Sequence, residues 1–295
     1  VFNVPDRFQA FFRLLSDMII PLYLYFKGIK KMYLMGNFFI GYYPGKIIWN
    51  LTNIEPFVRD SNIKYSIKHR FRLNLLKALF YISNKPDCIV SQSKSTKELL
   101  QSFKIFDGIH ISHIYNGVSE FDGLVAGTSS QRIVFVGQLV RYKRLELIIE
   151  QLFKVGAFNT YSLDVIGQLD WDIEYVNGIK CLIKDLKITD KVIFHGELKP
   201  NEVHDFYVNS SFMVYASLYD NCPNNVLEAL NLKLPILAWE NTILKELHIF
   251  GGIVLVDETL SSKDVTMLND DLRKCSFTFS WSDHVSKLIN IMEKL

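Results

Sequence analysis

The sequence predicts an α/β protein built on parallel sheets, divided into two domains by a linker. Three observations carry the prediction. Short β-branched or aromatic runs alternate with helical stretches along the chain, the pattern that βαβ units produce. The 295 residues suffice for two domains at roughly 100–200 residues each. Between the two regions of alternation, Ser119 to Gln131 is polar, small and rich in glycine, as linkers are. The expected divisions are residues 1–120, residues 121–280 and a closing helix over 281–295.

In the first region the apolar stretch Phe11 to Phe26 is interrupted by Arg13 and Asp17, which makes it a poor membrane-spanning helix. Lys46–Leu51 and Asp87–Val90 read as buried strands, with a long helical stretch from Tyr65 to Ser83 between them. Ser93, Ser95 and Thr96 supply caps for a helix that continues through Glu98. Ile111–Tyr115 reads as a strand, stopped by the turn pair Asn116-Gly117. In the second region strands are expected at Arg132–Val136, Ser162–Ile166, Lys191–Phe194, Phe212–Tyr215, Pro235–Ala238 and Ile253–Val256. Leu145, Ile148, Ile149 and Leu152 share one helical face. A six-strand doubly wound sheet follows, and such sheets bind ligands at the carboxyl ends of their strands. A last helix runs from Ser282 to Lys294.

Composition excludes several classes of function. An apolar share of 49% with 22% charged residues fits a globular protein with a real core, not a disordered chain. A net charge of +2 with scattered cations argues against a nucleic-acid partner. Cys88, Cys181, Cys222 and Cys275 are far apart and read as reduced thiols of a cytoplasmic protein, forming neither a zinc site nor a disulfide framework.

Three places suit chemistry. At the end of one strand stands Gly137, followed by Arg141 and Lys143 just before a helix; a glycine there lets backbone approach a ligand, and the cations can meet a diphosphate. Alone, this also reads as a βα turn with solvated cations. In the second place Asp220, Pro223, Asn224, Asn225 and Glu228 span a loop and a helix start. The first amides of that helix face an anionic or hydroxyl-rich ligand, and Glu228 can accept hydrogen bonds from a ribose diol. Alone, this also reads as a capped helix with a solvated Glu228. The third is a pair of strand-ending glycines, Gly167 and Gly196, which read as ordinary turns, with His195 as a packing or capping residue.

Taken together, IVFVGQLVRYK (Ile133 to Lys143), YSLDVIG (Tyr161 to Gly167), KVIFHGEL (Lys191 to Leu198), YDNCPNNVLEALNLKLPILAW (Tyr219 to Trp239) and the Asn116-Gly117-Val118 turn resemble the retaining glycosyltransferases of family 4. The resemblance implies the GT-B fold, two Rossmann-like domains facing each other across a cleft. It implies hexosyl transfer from a nucleotide-diphosphate sugar to a hydroxyl of a saccharide or lipid-linked oligosaccharide, with retained anomeric configuration, in bacterial surface polysaccharide synthesis. No metal and no cofactor beyond the donor is implied. By resemblance, Glu228 holds the ribose hydroxyls and Asp220 faces the donor sugar. Gly137, Arg141 and the backbone around Pro223, Asn224 and Asn225 bind donor, while Lys143 neutralises the leaving diphosphate. Lys143 and Asp220 are the catalytic pair.

The chain departs from the family pattern in several places. Asp220 replaces a usual glutamate, Gln138 a usual arginine, and Lys233 a usual glycine; Thr52-Asn53 lies where a histidine is common. No starting strand with a glycine-rich loop precedes Val4-Pro5, so the N-terminal domain is expected to be incomplete. Aromatic residues crowd the first region (Phe11, Phe12, Tyr23, Tyr25, Phe26, Phe38, Phe39, Tyr42, Tyr43). Core packing and ordinary surface explain most of them; the second reading is peripheral contact with the inner face of the plasma membrane. Two rival functions stand beside transfer. One is a non-catalytic GT-B remnant that binds a nucleotide sugar or a partner transferase. The other is a GT-B epimerase or phosphorylase, the phosphorylase requiring a lysine-bound pyridoxal group.

Overall fold

A computed structural model describes residues 19–35, 42–52, 57, 67–82, 85–119, 130–268 and 277–295. Residues 120–129 of the expected linker lie outside the described residues, as do Val4, Pro5, Phe11, Phe12, Phe38, Phe39, Asn53 and Cys275. The chain divides into two compact units, Val1–Tyr115 together with His284–Leu295, and Asn116–Asp283.

The first unit holds the helical residues 19–26 (α1), β1 (Lys31–Met35), β2 (Lys46–Leu51), α2 (Ile67–Ile82), β3 (Cys88–Ser91), α3 (Lys94–Gln101) and β4 (His110–His113). Its strands pair in parallel in the order β1-β2-β3-β4. The sequence reading contains no counterpart of β1. Its Met32 to Met35 run is apolar, but among the described residues the strand pairs with β2 alone, and it is half-buried with Met35 exposed, so it lacks the continuous burial of a central parallel strand. β2 and β3 have that burial. Trp49, Leu51 and Ile89 face a cluster with Phe57, Phe80 and Phe106 on one side of the sheet. Ile48, Cys88 and Val90 face the other side, where Leu288, Ile291 and Met292 of the C-terminal helix (Trp281–Lys294) cover them. Asp87, placed in the sequence reading inside β3, instead precedes it and accepts from Lys46 Nζ at 2.8 Å and Ile47 N at 2.9 Å, which fixes the start of β2. Among the described residues no helix is long and apolar enough to cross a membrane.

The second unit runs β5 (Arg132–Val136), α4 (Leu145–Lys154), β6 (Ser162–Ile166), α5 (Ile173–Asp185), β7 (Val192–Gly196), α6 (Pro200–Val208), β8 (Phe212–Tyr215), α7 (Asn224–Asn231), β9 (Ile236–Trp239), α8 (Thr242–His248), β10 (Ile253–Val256) and α9 (Ser262–Thr266). All six strands lie where the sequence predicts them, with small shifts at their ends. They pair in parallel in the order β10-β9-β8-β5-β6-β7, which confirms the α/β, Rossmann-like fold class. Leu145, Ile148, Ile149 and Leu152 of α4 are fully buried against β5 and β6, as their spacing requires. One charge interrupts this core. Asp164 of β6 is fully buried, and accepts from Arg132 Nε at 2.7 Å while His195 Nε2 lies 2.6 Å from its other oxygen. His195 also packs on Phe206, so it is a packed histidine.

The strand order turns around between β5 and β8. From β5 the chain winds outward through β6 and β7, then returns to β8 and winds the other way. Loops leaving the carboxyl ends of β5 and β8 therefore diverge to opposite faces of the sheet and open a crevice. Gly167, at the end of β6, allows the first of these loops to pass: a Cβ there would lie 1.9 Å from the Gly137 carbonyl oxygen.

Candidate functional site

The predicted residues sit on the two loops at this switch point. After β5 the chain passes Gly137, where a Cβ would meet nothing closer than 3.8 Å, and then makes a tight turn over Arg141–Lys143. Arg144 follows in the left-handed region, with φ 52°, and its Nε donates to the Ala216 carbonyl at 2.6 Å. The amide of Leu218 donates to the Tyr142 carbonyl at 2.9 Å, and the rings of Tyr142 and Tyr219 stack at 4.8 Å. The loops after β5 and β8 are thus sewn together by backbone and by rings.

Their side chains meet as an ion pair. Lys143 Nζ donates to Asp220 Oδ2 at 2.6 Å, with the two side chains 12% and 23% exposed. The hydroxyl of Tyr215, the last residue of β8, donates to the same oxygen. Burial, reinforced by the Asp220 charge, holds the Tyr215 phenol well above its usual range, so it remains a donor.

Beyond Asp220 the chain enters α7. Pro223 is its N-cap and Asn224 its first residue, as the sequence predicts. Asn225 Nδ2 donates to the Val136 carbonyl at 2.5 Å and ties the helix start to the end of β5. Asn116 Nδ2 donates to Asn224 Oδ1 at 2.8 Å. The first two amides of α7, those of Asn224 and Asn225, have no carbonyl within the helix to reach and point back along its axis. Burial pushes the Cys222 thiol up to about 12, so this motif residue is a packed thiol and not a nucleophile.

Glu228 lies one turn into α7, half-buried, and accepts from Tyr207 of α6 at 3.2 Å. Burial raises its carboxyl above the ordinary value, with the tyrosine hydrogen bond acting in the opposite direction.

Lys143 and Asp220 are therefore joined by direct contact, and Asn225 is tied to the end of β5 beside Gly137, with Glu228 on the same short helix as Asn224 and Asn225. Arg141 is not part of this assembly. Its guanidinium pairs with Asp172 at 3.6 Å and Glu174 at 3.2 Å at the start of α5, over the ring of Tyr175. Gln138 is exposed. Sequence reasoning missed Tyr207, Tyr215 and Arg144. Periodicity turns the two tyrosines inward, but a hydroxyl's partner across the core leaves no mark in the spacing.

Chemically, a partly buried cation beside a helix N-terminus suits a phosphate group. Two carboxylates in the same region suit sugar hydroxyls. Among the described residues each uses a single oxygen: Asp220 Oδ2 takes both Lys143 and Tyr215, and Glu228 Oε2 takes Tyr207.

Comparison with known proteins agrees with this geometry. The family described as "Glycosyl transferases group 1" matches residues 120–269. The O-antigen chain mannosyltransferase RfbU of Salmonella typhimurium is 23% identical over 201 residues, covering 68% of this chain and 54% of that protein. The chain spans about half the length of the curated relatives it matches. Among solved structures, sucrose-phosphate synthase from Thermosynechococcus elongatus superposes with a TM-score of 0.73 at 13% identity, covering 99% of this chain and 80% of that one. Anabaena HepE in complex with UDP and glucose superposes with a TM-score of 0.66 at 14% identity, covering 85% and 72%. At these identities the structural likeness is one of fold. The family match covers more than half of the chain and includes the whole switch-point site, from Gly137 to Glu228; the chain belongs to the glycosyl transferases group 1 family.

Proposed function

We propose that this chain carries the donor site of a glycosyltransferase that moves a hexose from a nucleotide-diphosphate sugar to a hydroxyl of a saccharide or lipid-linked saccharide, retaining anomeric configuration. The observation that carries the proposal is the contact of Lys143 with Asp220 beside the start of α7, at the sheet's switch point. In this reading the diphosphate lies against the α7 amides and Lys143, the donor sugar faces Asp220, and Glu228 accepts from the ribose diol. The acceptor oxygen attacks the anomeric carbon from the face the diphosphate leaves. The C–O bond to phosphate breaks, and the acceptor proton passes to the departing phosphate oxygen. Lys143 stabilises the charge that develops there. The reaction so written needs no metal and no resident cofactor.

The mannosyltransferase and UDP-bound relatives support a sugar-nucleotide donor and a role in bacterial surface polysaccharide synthesis. In this reading the enzyme works in the cytoplasm, with peripheral contact to the inner face of the plasma membrane. The α2 surface supports that contact: Ile67, Phe71 and Leu75 are exposed at successive helical turns, and α2 holds four Lys or Arg residues and no acidic one.

Thermal stabilisation by UDP, GDP and ADP tests the donor site, in wild type and Glu228→Ala. One nucleotide at a hundred times its dissociation constant should stabilise wild type by roughly 2.7 kcal/mol, and the variant should lose the effect. No stabilisation by any of the three removes the donor-site assignment.

A second reading, a non-catalytic remnant that binds a nucleotide sugar, is favoured by one observation. Gln138 replaces the family arginine, and Arg141 is engaged with Asp172 and Glu174 instead of substituting for it. Nucleotide binding without turnover of any sugar nucleotide over a panel of saccharide acceptors would select this reading.

A further inference from the structure

We propose that Tyr207 is a positioning residue that aims the Glu228 carboxylate at the ribose of a bound nucleotide and so sets the preference for ribose over deoxyribose. The proposal rests on the reading of Glu228 as the ribose ligand and assigns a role to a residue outside the family motif.

Tyr207 lies near the end of α6 and is 1% exposed. Its hydroxyl donates to Glu228 Oε2 at 3.2 Å, the one hydrogen bond the Glu228 carboxylate makes among the described residues. Packing alone would be served by phenylalanine, which fills nearly the same volume without a polar atom to satisfy. A buried hydroxyl persists where it has a partner. A phenol at this place has one proton to give, and giving it to Oε2 fixes the plane of the carboxylate. Oε1 has no partner among the described residues and is the oxygen left to a ligand hydroxyl.

The 3.2 Å separation exceeds the roughly 2.5–2.7 Å of a tight O–H···O⁻ bond. Tyr207 therefore orients the carboxylate more than it neutralises it. Tyr215 donates to Asp220 in a closer contact, on the Oδ2 that also carries Lys143. Each motif carboxylate thus rests on a buried tyrosine by one oxygen and keeps the other.

The test is a ratio of affinities, which lost packing would not change. The nucleoside diphosphate that binds, found by trying UDP, GDP and ADP, is compared by calorimetry with its 2′-deoxy counterpart. Wild type should favour the ribose form by about tenfold or more, the worth of a hydrogen bond to a charged group. Tyr207→Phe should bring the ratio close to one, as should Glu228→Met. If Glu228→Met loses the preference and Tyr207→Phe keeps it, the role of Tyr207 is overturned while the reading of Glu228 stands. If Glu228→Met keeps it, the reading of Glu228 itself fails, and the proposal with it.

Should Tyr207→Phe not fold, the double variant is compared with Glu228→Met, in which the hydroxyl has already lost its acceptor. Adding Tyr207→Phe there should leave Tm unchanged or raise it. A fall of about 4 °C or more would give the hydroxyl a partner other than Glu228 and overturn the proposal.

Discussion

Lys233 shows how a departure from a family pattern resolves at a single residue. It follows the last turn of α7 with φ 57° and is exposed, so it occupies the left-handed position that ends many helices. The glycine usual there serves the backbone, not the chemistry. An L side chain in this region costs roughly 1 kcal/mol or more relative to glycine. Lys233→Gly should therefore be more stable than Lys233→Ala by about 1 kcal/mol, the reverse of the helix-interior order. Chemical denaturation of the two variants checks it, and equal midpoints would show that the residue is not held left-handed. Lys143 and Asp220 allow a second prediction. In the ligand-free chain each satisfies the other, so a diphosphate competes with Asp220 for the ammonium group. Asp220→Asn should bind nucleoside diphosphate at least as tightly as wild type while sugar transfer falls about 100-fold. Lys143→Met should weaken diphosphate binding about tenfold, the loss of one charge-assisted contact. Calorimetry measures the binding; weaker diphosphate binding in Asp220→Asn would show that the ion pair does not compete with the ligand.

Helix α7 carries a cost that is intelligible only through the ligand. Glu228 is half-buried, and burial raises its carboxyl above the ordinary value of about 4.3. A raised acid favours folding below that ordinary value and loses its contribution as pH rises through the folded value. Glu228→Gln should accordingly melt higher than wild type at neutral pH, by a gain of about 0.5–2 kcal/mol, and no higher at pH 4. The variant should lose nucleotide stabilisation at the same time. Melting curves from pH 4 to 8 measure both, and a less stable Gln variant at neutral pH would refute the cost of the buried charge. Strand ends impose a stricter geometry. Gly167→Ala places a methyl 1.9 Å from the Gly137 oxygen, between backbone segments that cannot yield cheaply. It should cost about 3 kcal/mol or more, and a fully stable alanine variant would contradict the close approach. At this scale the sequence was most legible in the second sheet, because parallel strands covered on both faces read as near-continuous apolar runs. β1 went unread although Met32 to Met35 form an apolar run, because so short a run does not by itself distinguish a strand from a buried helical segment. The site's loops could be placed from glycine, proline and charge. Its ties, such as Asn225 to the Val136 carbonyl or Arg141 to Asp172 and Glu174, depend on which loop lies opposite, and spacing does not encode that.

The two units differ in how the chain enters them, and stability should follow that difference. Asn116–Asp283 is one continuous segment with its own six-strand sheet and core, and it includes every residue of the switch-point site. The other unit is assembled from two stretches, and its C-terminal piece brings Leu288, Ile291, Met292 and Leu295 onto the sheet face formed by Ile48, Cys88, Val90 and Ile114. His284 Nδ1 adds a hydrogen bond with the Tyr115 carbonyl at 2.8 Å. Ending the chain at Asp283 removes four apolar side chains from one core and none from the other. At about 1.5–3 kcal/mol for each fully buried large side chain, and less for these partly buried ones, several kcal/mol are at stake. That is comparable with the whole stability of a small domain. The shortened protein should therefore lose the calorimetric transition of the first unit and keep that of the second. The transition that survives should be the one shifted upward by a nucleoside diphosphate, because the ligand contacts proposed above all lie within residues 116–283. Scanning calorimetry of the full and shortened chains, each with and without nucleotide, decides it. Loss of both transitions together would mean that the two units do not fold independently.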